Sequence, residues 1–248
     1  MIIIVCLKRV PDTTTKLKPG PDGTSIESQG VEYIINPYDE FAIEEALQVR
    51  DEKGGEVIGV TLDPDGNESI LRKALAMGID RGVLIRGGSP FDGAATAEIL
   101  AEVLKELNGD LILFGKQAID SDSGGVPAMV AHRLGMPRAM VVTKIEREEG
   151  KLVCHRQIEG GEEIMELPLP CIVSTQKGLN EPRYPSLKGI MSAKKKTIEK
   201  REAPAVEARL EVVRMTPPPE RPAGRIVGEG VEAVPELIRA LQEEAKVI

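Results

Sequence analysis

The chain has no tryptophan, three tyrosines, three phenylalanines, two histidines and three cysteines among its 248 residues. So few aromatic faces give no stacking platform for single-stranded nucleic acid, and they require an aliphatic core. His132 and His155, with the widely separated Cys6, Cys154 and Cys171, offer no metal-ligand spacing and no short-spaced redox pair. The cysteines read as small core residues in a reducing compartment. No apolar run is long enough to cross a bilayer. The opening Met-Ile-Ile-Ile-Val-Cys runs directly into a strand without a basic leader or a cleavage site, so a soluble, cytoplasmic protein is expected. A formal charge of −8 disfavours general binding to nucleic acid or anionic membranes. Also missing are the lysine of a phosphate loop, a G-x-G-x-x-G turn, a G-x-S-x-G elbow and a Ser/His/Asp set. Carboxylates are plentiful but scattered, and no residue stands out as catalytic.

What is present is an alternation. Ile2 to Leu7 is a β-branched apolar run, the signature of a buried parallel strand. Lys8 to Thr13 then turns out at its carboxyl end, and Lys16 to Ser28 forms an exposed excursion around Asp22-Gly23. Asn36-Pro37-Tyr38-Asp39 opens a helix that Gly54-Gly55 stops. Strands follow at Glu56 to Leu62, Gly82 to Ile85, Asp110 to Gly115 and Met140 to Ile145. Between them come helices at Ser69 to Met77, Phe91 to Leu107 and from Pro127 through Leu134. This β-α repeat predicts a doubly wound, mainly parallel sheet. Residues 151–158 and 162–167 alternate about Gly160-Gly161 as an antiparallel hairpin, and Pro170 to Thr175 reads as the final sheet strand. Beyond Lys200 the texture changes. A short strand is expected at Ala208 to Met215, an extended linker at Pro217 to Pro222, and an amphipathic helix at Val231 to Ala245.

Two places carry candidate chemistry. The first is the crevice at the strands' carboxyl ends, where open α/β sheets take ligands. The topology brings Cys6, Asn36 to Asp39 and Leu62 there, with the turn Asp122-Ser123-Gly124-Gly125 before a helix. Free N–H groups at a helix start suit a phosphate, although capping and turning alone also account for those residues. The second is Asn180 to Lys196. Pro182 and Pro185 argue against helix or central strand. Yet the stretch carries Tyr184, Leu187, Ile190 and Met191, then Lys194, Lys195 and Lys196. Stiff turns, large apolar side chains and a cationic cluster suit a docking surface, or else a loop folded back on the core with its lysines solvated.

Asn180 to Tyr184, Leu187, Gly189-Ile190-Met191 and Ala193 to Lys196 closely resemble the signature region of the electron transfer flavoprotein beta subunit, and the likeness runs along nearly the whole chain. It implies a Rossmann-like fold of the adenine nucleotide alpha hydrolase type. Residues 1–200 would form a nucleotide-binding domain that includes a recognition loop at 178–196, and residues 201–248 an arm packed on an alpha subunit. It implies an electron carrier rather than an enzyme. Electrons would come from flavin dehydrogenases, such as the acyl-CoA dehydrogenases of fatty acid beta-oxidation, and pass to a membrane quinone oxidoreductase. FAD would be shared with the alpha subunit, with AMP held in the beta subunit. The nucleotide contacts then fall on Cys6, Asn36, Pro37, Tyr38, Asp39, Leu62 and the segment Asp122, Ser123, Gly124, Gly125, Val126, Pro127, Ala128 and Ala131. Thr13 and Tyr38 match positions beside the flavin. Leu187 matches the leucine that anchors in a dehydrogenase pocket. Ser123-Gly124-Gly125-Val126 departs from the family by lacking the usual amide side chain, so backbone contacts are expected to hold the nucleotide. Val10-Pro11-Asp12-Thr13 looks like the electron-bifurcating members, which hold a second FAD and oxidise NADH, whereas Ala193-Lys-Lys-Lys looks like the ordinary kind. Two alternatives of other classes are a stand-alone adenine-nucleotide sensor and an ATP-activating enzyme on a related fold.

Overall fold

A computed structural model describes residues 1–88, 92–220 and 223–248. The chain divides into two units, Met1–Arg214 and Met215–Ile248. The first holds strands β1 (Ile2–Leu7), β2 (Arg9–Pro11), β3 (Tyr33–Ile35), β4 (Glu56–Asp63), β5 (Arg81–Arg86), β6 (Leu111–Gly115), β7 (Arg138–Arg147), β8 (Lys151–Ile158), β9 (Gly161–Pro168), β10 (Cys171–Thr175) and β11 (Ile198–Glu202). Its helices are α1 (Pro37–Lys53), α2 (Ser69–Met77), α3 (Gly93–Leu107), α4 (Val126–Leu134) and α5 (Leu187–Ala193).

Nine strands form one sheet in the order β11-β5-β4-β1-β6-β10-β7-β8-β9. Pairing is parallel from β11 to β7 and antiparallel through the β7-β8-β9 hairpins. This is the expected doubly wound α/β architecture. Alternate residues of a strand point to opposite faces, and β1 shows why its whole run is apolar. Ile3, Val5 and Leu7 pack with Ile43 and Leu47 of α1 and Leu71 and Leu75 of α2. Ile4 and Cys6 pack on the other face with Ile99 and Val103 of α3 and Val130 of α4. With helices on both sides, the central strands have no wet face. From β1 the chain winds outward to β4 and β5, then restarts on the other side at β6, so the topology reverses between β1 and β6.

Several expectations need correction. The turn after β1 contains a short antiparallel pair, β2 with β3, too brief to leave a periodic signal. The sheet does not end at β10, because β11 joins its far edge beside β5. That strand, Ile-Glu-Lys-Arg-Glu, is charged in the manner of an edge strand and hides its β character. Ala208 to Met215 pairs with no strand. There the N–H groups of Arg209 and Leu210 donate to the Asp92 carboxylate, at 2.5 and 3.0 Å. Helix α3 has its amino cap at Asp92, and the earlier start expected at Phe91 lies outside the described residues. The last two positions of the expected linker, Arg221 and Pro222, also lie outside them. In the second unit the expected helix exists but is not uniform. It opens with a tight turn at Val231–Ala233, is α-helical over α6 (Val234–Arg239), and widens to a π turn at Ala240–Ala245. Among the described residues no helix is long and apolar enough to cross a membrane.

Candidate functional site

The reversal between β1 and β6 is tied together by one carboxylate. Asp39, in the first turn of α1, is almost fully buried. Its Oδ2 accepts from the Lys8 N–H at 2.7 Å, just past β1. Its Oδ1 accepts from the Gly115 N–H at 3.1 Å, at the end of β6, and from Asn36 Nδ2 at 2.8 Å. Burial pushes the carboxyl up to about 7, although all three donors favour the ion. Gly115 is required here because a Cβ would collide with Asp39 Oδ1 and stand 2.7 Å from Tyr38 Cβ. The side chain of Asn36 completes the knot. It donates to the Gln117 carbonyl at 2.9 Å and accepts from the Ile119 N–H at 3.2 Å, so it holds down the loop after β6.

That loop leads to α4. Asp122 and Gly124 both take left-handed backbone angles, φ 52° and 60°. Among the described residues no side chain caps the amino end of α4, where Gly125 occupies the cap position. Pro127 has no N–H and the Met129 N–H bonds to the Gly125 carbonyl, which leaves the N–H groups of Val126 and Ala128 without an intrahelical acceptor. Of the two acids here that would repel an anion, one is neutralised and the other only hydrogen-bonded. Asp120 pairs with Lys8 Nζ at 2.8 Å, and Asp122 accepts from Gln117 Nε2 at 2.7 Å. Ser123 is exposed beside them.

Other expected residues divide by burial. Cys6 and Ala131 have side chains inside the core, so only their backbone can meet a ligand. Burial, then the nearby Asp39 charge, drives the Cys6 thiol well above its ordinary value. Leu62 and Val126 are half-buried against the same core, and Pro127 is buried. Ala128 lines an open hollow of about 830 Å³ with Ala94, His132 and Arg209. Pro37 starts α1, and Tyr38 is half-buried with Lys116 Nζ 4.8 Å above its ring. The Tyr38 carbonyl accepts from Thr175 Oγ1 at 3.1 Å. Thr13 is exposed on the turn after β2. Sequence reasoning missed Lys8, Gly115, Lys116 and Gln117. A glycine closing a buried strand opposite a helix start is the one signal that marked any of them.

The second candidate is a platform. Contrary to expectation, Leu187–Ala193 is helical. Pro182 and Pro185 lie before it, and Ser186 caps it by accepting from the Gly189 N–H at 3.0 Å. Helix α5 sits directly on α2, since a Cβ on Gly189 would overlap the Ala76 carbonyl oxygen. Arg72 of α2 donates to the carbonyls of Ala193 and Lys196, both at 2.9 Å. Tyr184 is 94% exposed, Leu187 84%, Met191 73% and Ile190 47%. Lys194 and Lys195 are exposed. Lys196, expected in the same cationic ridge, instead turns inward and donates to the Ile79 and Leu75 carbonyls at 2.5 and 3.3 Å. Burial lowers its pKa. It closes the carboxyl end of α2.

The profile of the electron transfer flavoprotein domain matches residues 23–206. Over 224 residues the chain is 42% identical to the electron transfer flavoprotein subunit beta of Syntrophomonas wolfei, covering 90% of this chain and 88% of that one. It is 40% identical to the corresponding subunit of Bacillus subtilis and 38% to the mitochondrial subunit of Arabidopsis thaliana, each over the full length of both chains. The chain belongs to the electron transfer flavoprotein beta-subunit family.

The uncapped start of α4 suits an anionic group such as a phosphate. Of the nearby acids, Asp120 is paired with Lys8, while Asp122 keeps its charge beside the neutral Gln117 amide. With the Lys8 charge matched by Asp120, Lys116, above the Tyr38 ring, adds positive charge. Among the described residues no cluster of His, Cys, Asp and Glu could hold a metal ion.

Proposed function

We propose that this chain is the beta subunit of a heterodimeric electron transfer flavoprotein. It takes electrons from flavin dehydrogenases, such as those acting on acyl-CoA, and delivers them to a membrane quinone oxidoreductase. The observation that carries this reading is Leu187, a large apolar side chain left 84% exposed on a helix whose other face is bolted to α2. One exposed leucine is ordinary, but Ile190 and Met191 are exposed one turn on along the same helix face, and a contiguous apolar patch marks an interaction site. Tyr184, Ile190 and Met191 shape the surface around it, and Lys194 and Lys195 steer acidic partners toward it.

In this reading the crevice holds AMP through backbone groups. Cys6 and its neighbours face the base, Asn36 and Asp39 fix the walls, and the turn Asp122 to Val126 meets ribose and phosphate. FAD, carried mainly by the alpha subunit, supplies the redox chemistry. Thr13 and Tyr38 lie against one side of it and set the polarity it meets. Within the second unit Val234, Leu237 and Ile238 stay 42–45% exposed, a stripe suited to packing on the alpha subunit.

The test is co-expression with the larger subunit, followed by release and identification of bound nucleotides. One FAD and one AMP per heterodimer are expected. Two FAD would replace this reading by the bifurcating one. A colourless chain that purifies alone and ignores the larger subunit would overturn both.

A further inference from the structure

Three donors of one residue converge on one buried acid. Arg183 gives Nε to Glu44 Oε2 at 2.8 Å, Nη2 to Oε1 at 3.0 Å and its backbone N–H to Oε2 at 3.1 Å. Its remaining arm reaches Asp51 at 3.2 Å. Glu44 is 4% exposed and the Arg183 side chain 38%, so this is a half-covered pair whose strength comes from its two-pronged geometry. Three residues earlier, Asn180 Nδ2 donates to the Phe41 carbonyl at 3.1 Å and to Glu45 at 3.3 Å. Every one of these acceptors lies on α1, the helix that begins at the crevice with Pro37 and Asp39.

Arg183 is therefore the last fixed point before Tyr184-Pro185-Ser186-Leu187. The next is α5, held on α2 by Arg72. We propose that Arg183 is a positioning residue for docking: its fork on Glu44 ties residues 184–186, and with them the Ser186 cap of α5, to the helix that walls the crevice, and so sets where Leu187 is presented. This rests on the docking role of Leu187. Ordering a loop in advance removes an entropy cost that binding otherwise bears. The fork matters as well as the charge, because an ammonium has no planar pair of donors to offer.

Arg183→Lys tests this in the intact heterodimer, since it keeps the charge, spares Glu44 an unpaired burial and leaves electrostatic steering alone. Amide exchange at Gly189 and Ile190, whose N–H groups bond to the Ser186 side chain and carbonyl, should quicken about tenfold. The KM for an acyl-CoA dehydrogenase reduced by its acyl-CoA should rise about fivefold, with kcat and bound nucleotide as in the parent. Unchanged exchange overturns the clamp. Faster exchange with an unchanged KM also overturns it, provided Leu187→Ala measured alongside raises KM. If Leu187→Ala leaves KM unchanged too, the docking role falls and this inference falls with it.

Discussion

Replacing Gly189 by alanine sets two effects of opposite sign against each other. Gly189 lies inside α5 and is not among the residues with left-handed backbone angles. Helix propensity alone therefore favours alanine by about 1 kcal/mol. Packing opposes it. The added Cβ would stand under 3.0 Å from the Ala76 carbonyl oxygen in the last turn of α2, and 3.4 Å from its carbonyl carbon. Backbone cannot swing aside as a long side chain can. Helix α5 must lift, stretching the two Arg72 bonds to Ala193 and Lys196 that now measure 2.9 Å. Overpacking of this kind costs about 1–3 kcal/mol, and each weakened hydrogen bond up to about 1 kcal/mol more. Over most of that range the steric term wins, with a net local loss of about 0–4 kcal/mol and a middle value of about 2. Because α5 lies outside the sheet, the loss is local and hydrogen exchange reads it. Amides from Ile190 to Lys196 should exchange roughly tenfold faster in the variant. Slower exchange, or a raised melting temperature, would show that propensity prevails and that α5 does not rest on α2 as described.

Two further outcomes concern the crevice. Gly115→Ala places a Cβ against Asp39 and Tyr38 in a fully buried corner, so it should cost about 2 kcal/mol or more in urea unfolding and strip the copurifying nucleotide; unchanged stability and full nucleotide content contradict the packing. Asp39 has its carboxyl raised to about 7, so from about pH 4 to that value the folded chain holds a proton that the unfolded chain has lost. Its contribution to stability falls as pH rises through this window, by an amount on the order of 2 kcal/mol between about pH 5 and about pH 8. Asp39→Asn removes the titration, so the variant's deficit in urea unfolding should shrink from the lower pH to the higher, and a deficit that ignores pH refutes the assignment.

Most of the sheet was legible because its central strands are apolar on both faces and its helices carry clear stops. Glu56 to Leu62 and Ser69 to Met77 needed no tertiary information. What escaped was decided by contacts distant in sequence. The strand β11 is charged because it is an edge, and only its partner β5 reveals it as a strand. Ala208 to Met215 has strand composition, but Asp92 takes two of its N–H groups. Leu187–Ala193 follows two prolines that discourage helix, yet Ser186 caps it and α2 supports it. At the crevice, the spacing of Asn36 and Asp39 announced a helix start, while their bonds to Lys8, Gly115 and Gln117 depend on the sheet bringing β1 and β6 together. Lys196 shows the limit of reading charge as surface, since a run of three lysines gave no sign that the last turns inward.

In the proposed function the exposed Leu187 on α5 receives electron donors. Leu187→Ala removes about three carbons' worth of apolar contact, about 2 kcal/mol, or roughly a thirtyfold loss of affinity if a partner buries the side chain. With Leu187 84% exposed, folding and nucleotide content should be untouched. The decisive measurement is the KM of the heterodimer for a reduced acyl-CoA dehydrogenase. A rise of about thirtyfold with unaltered flavin content is the predicted result. A KM equal to the parent's, with normal transfer, contradicts it.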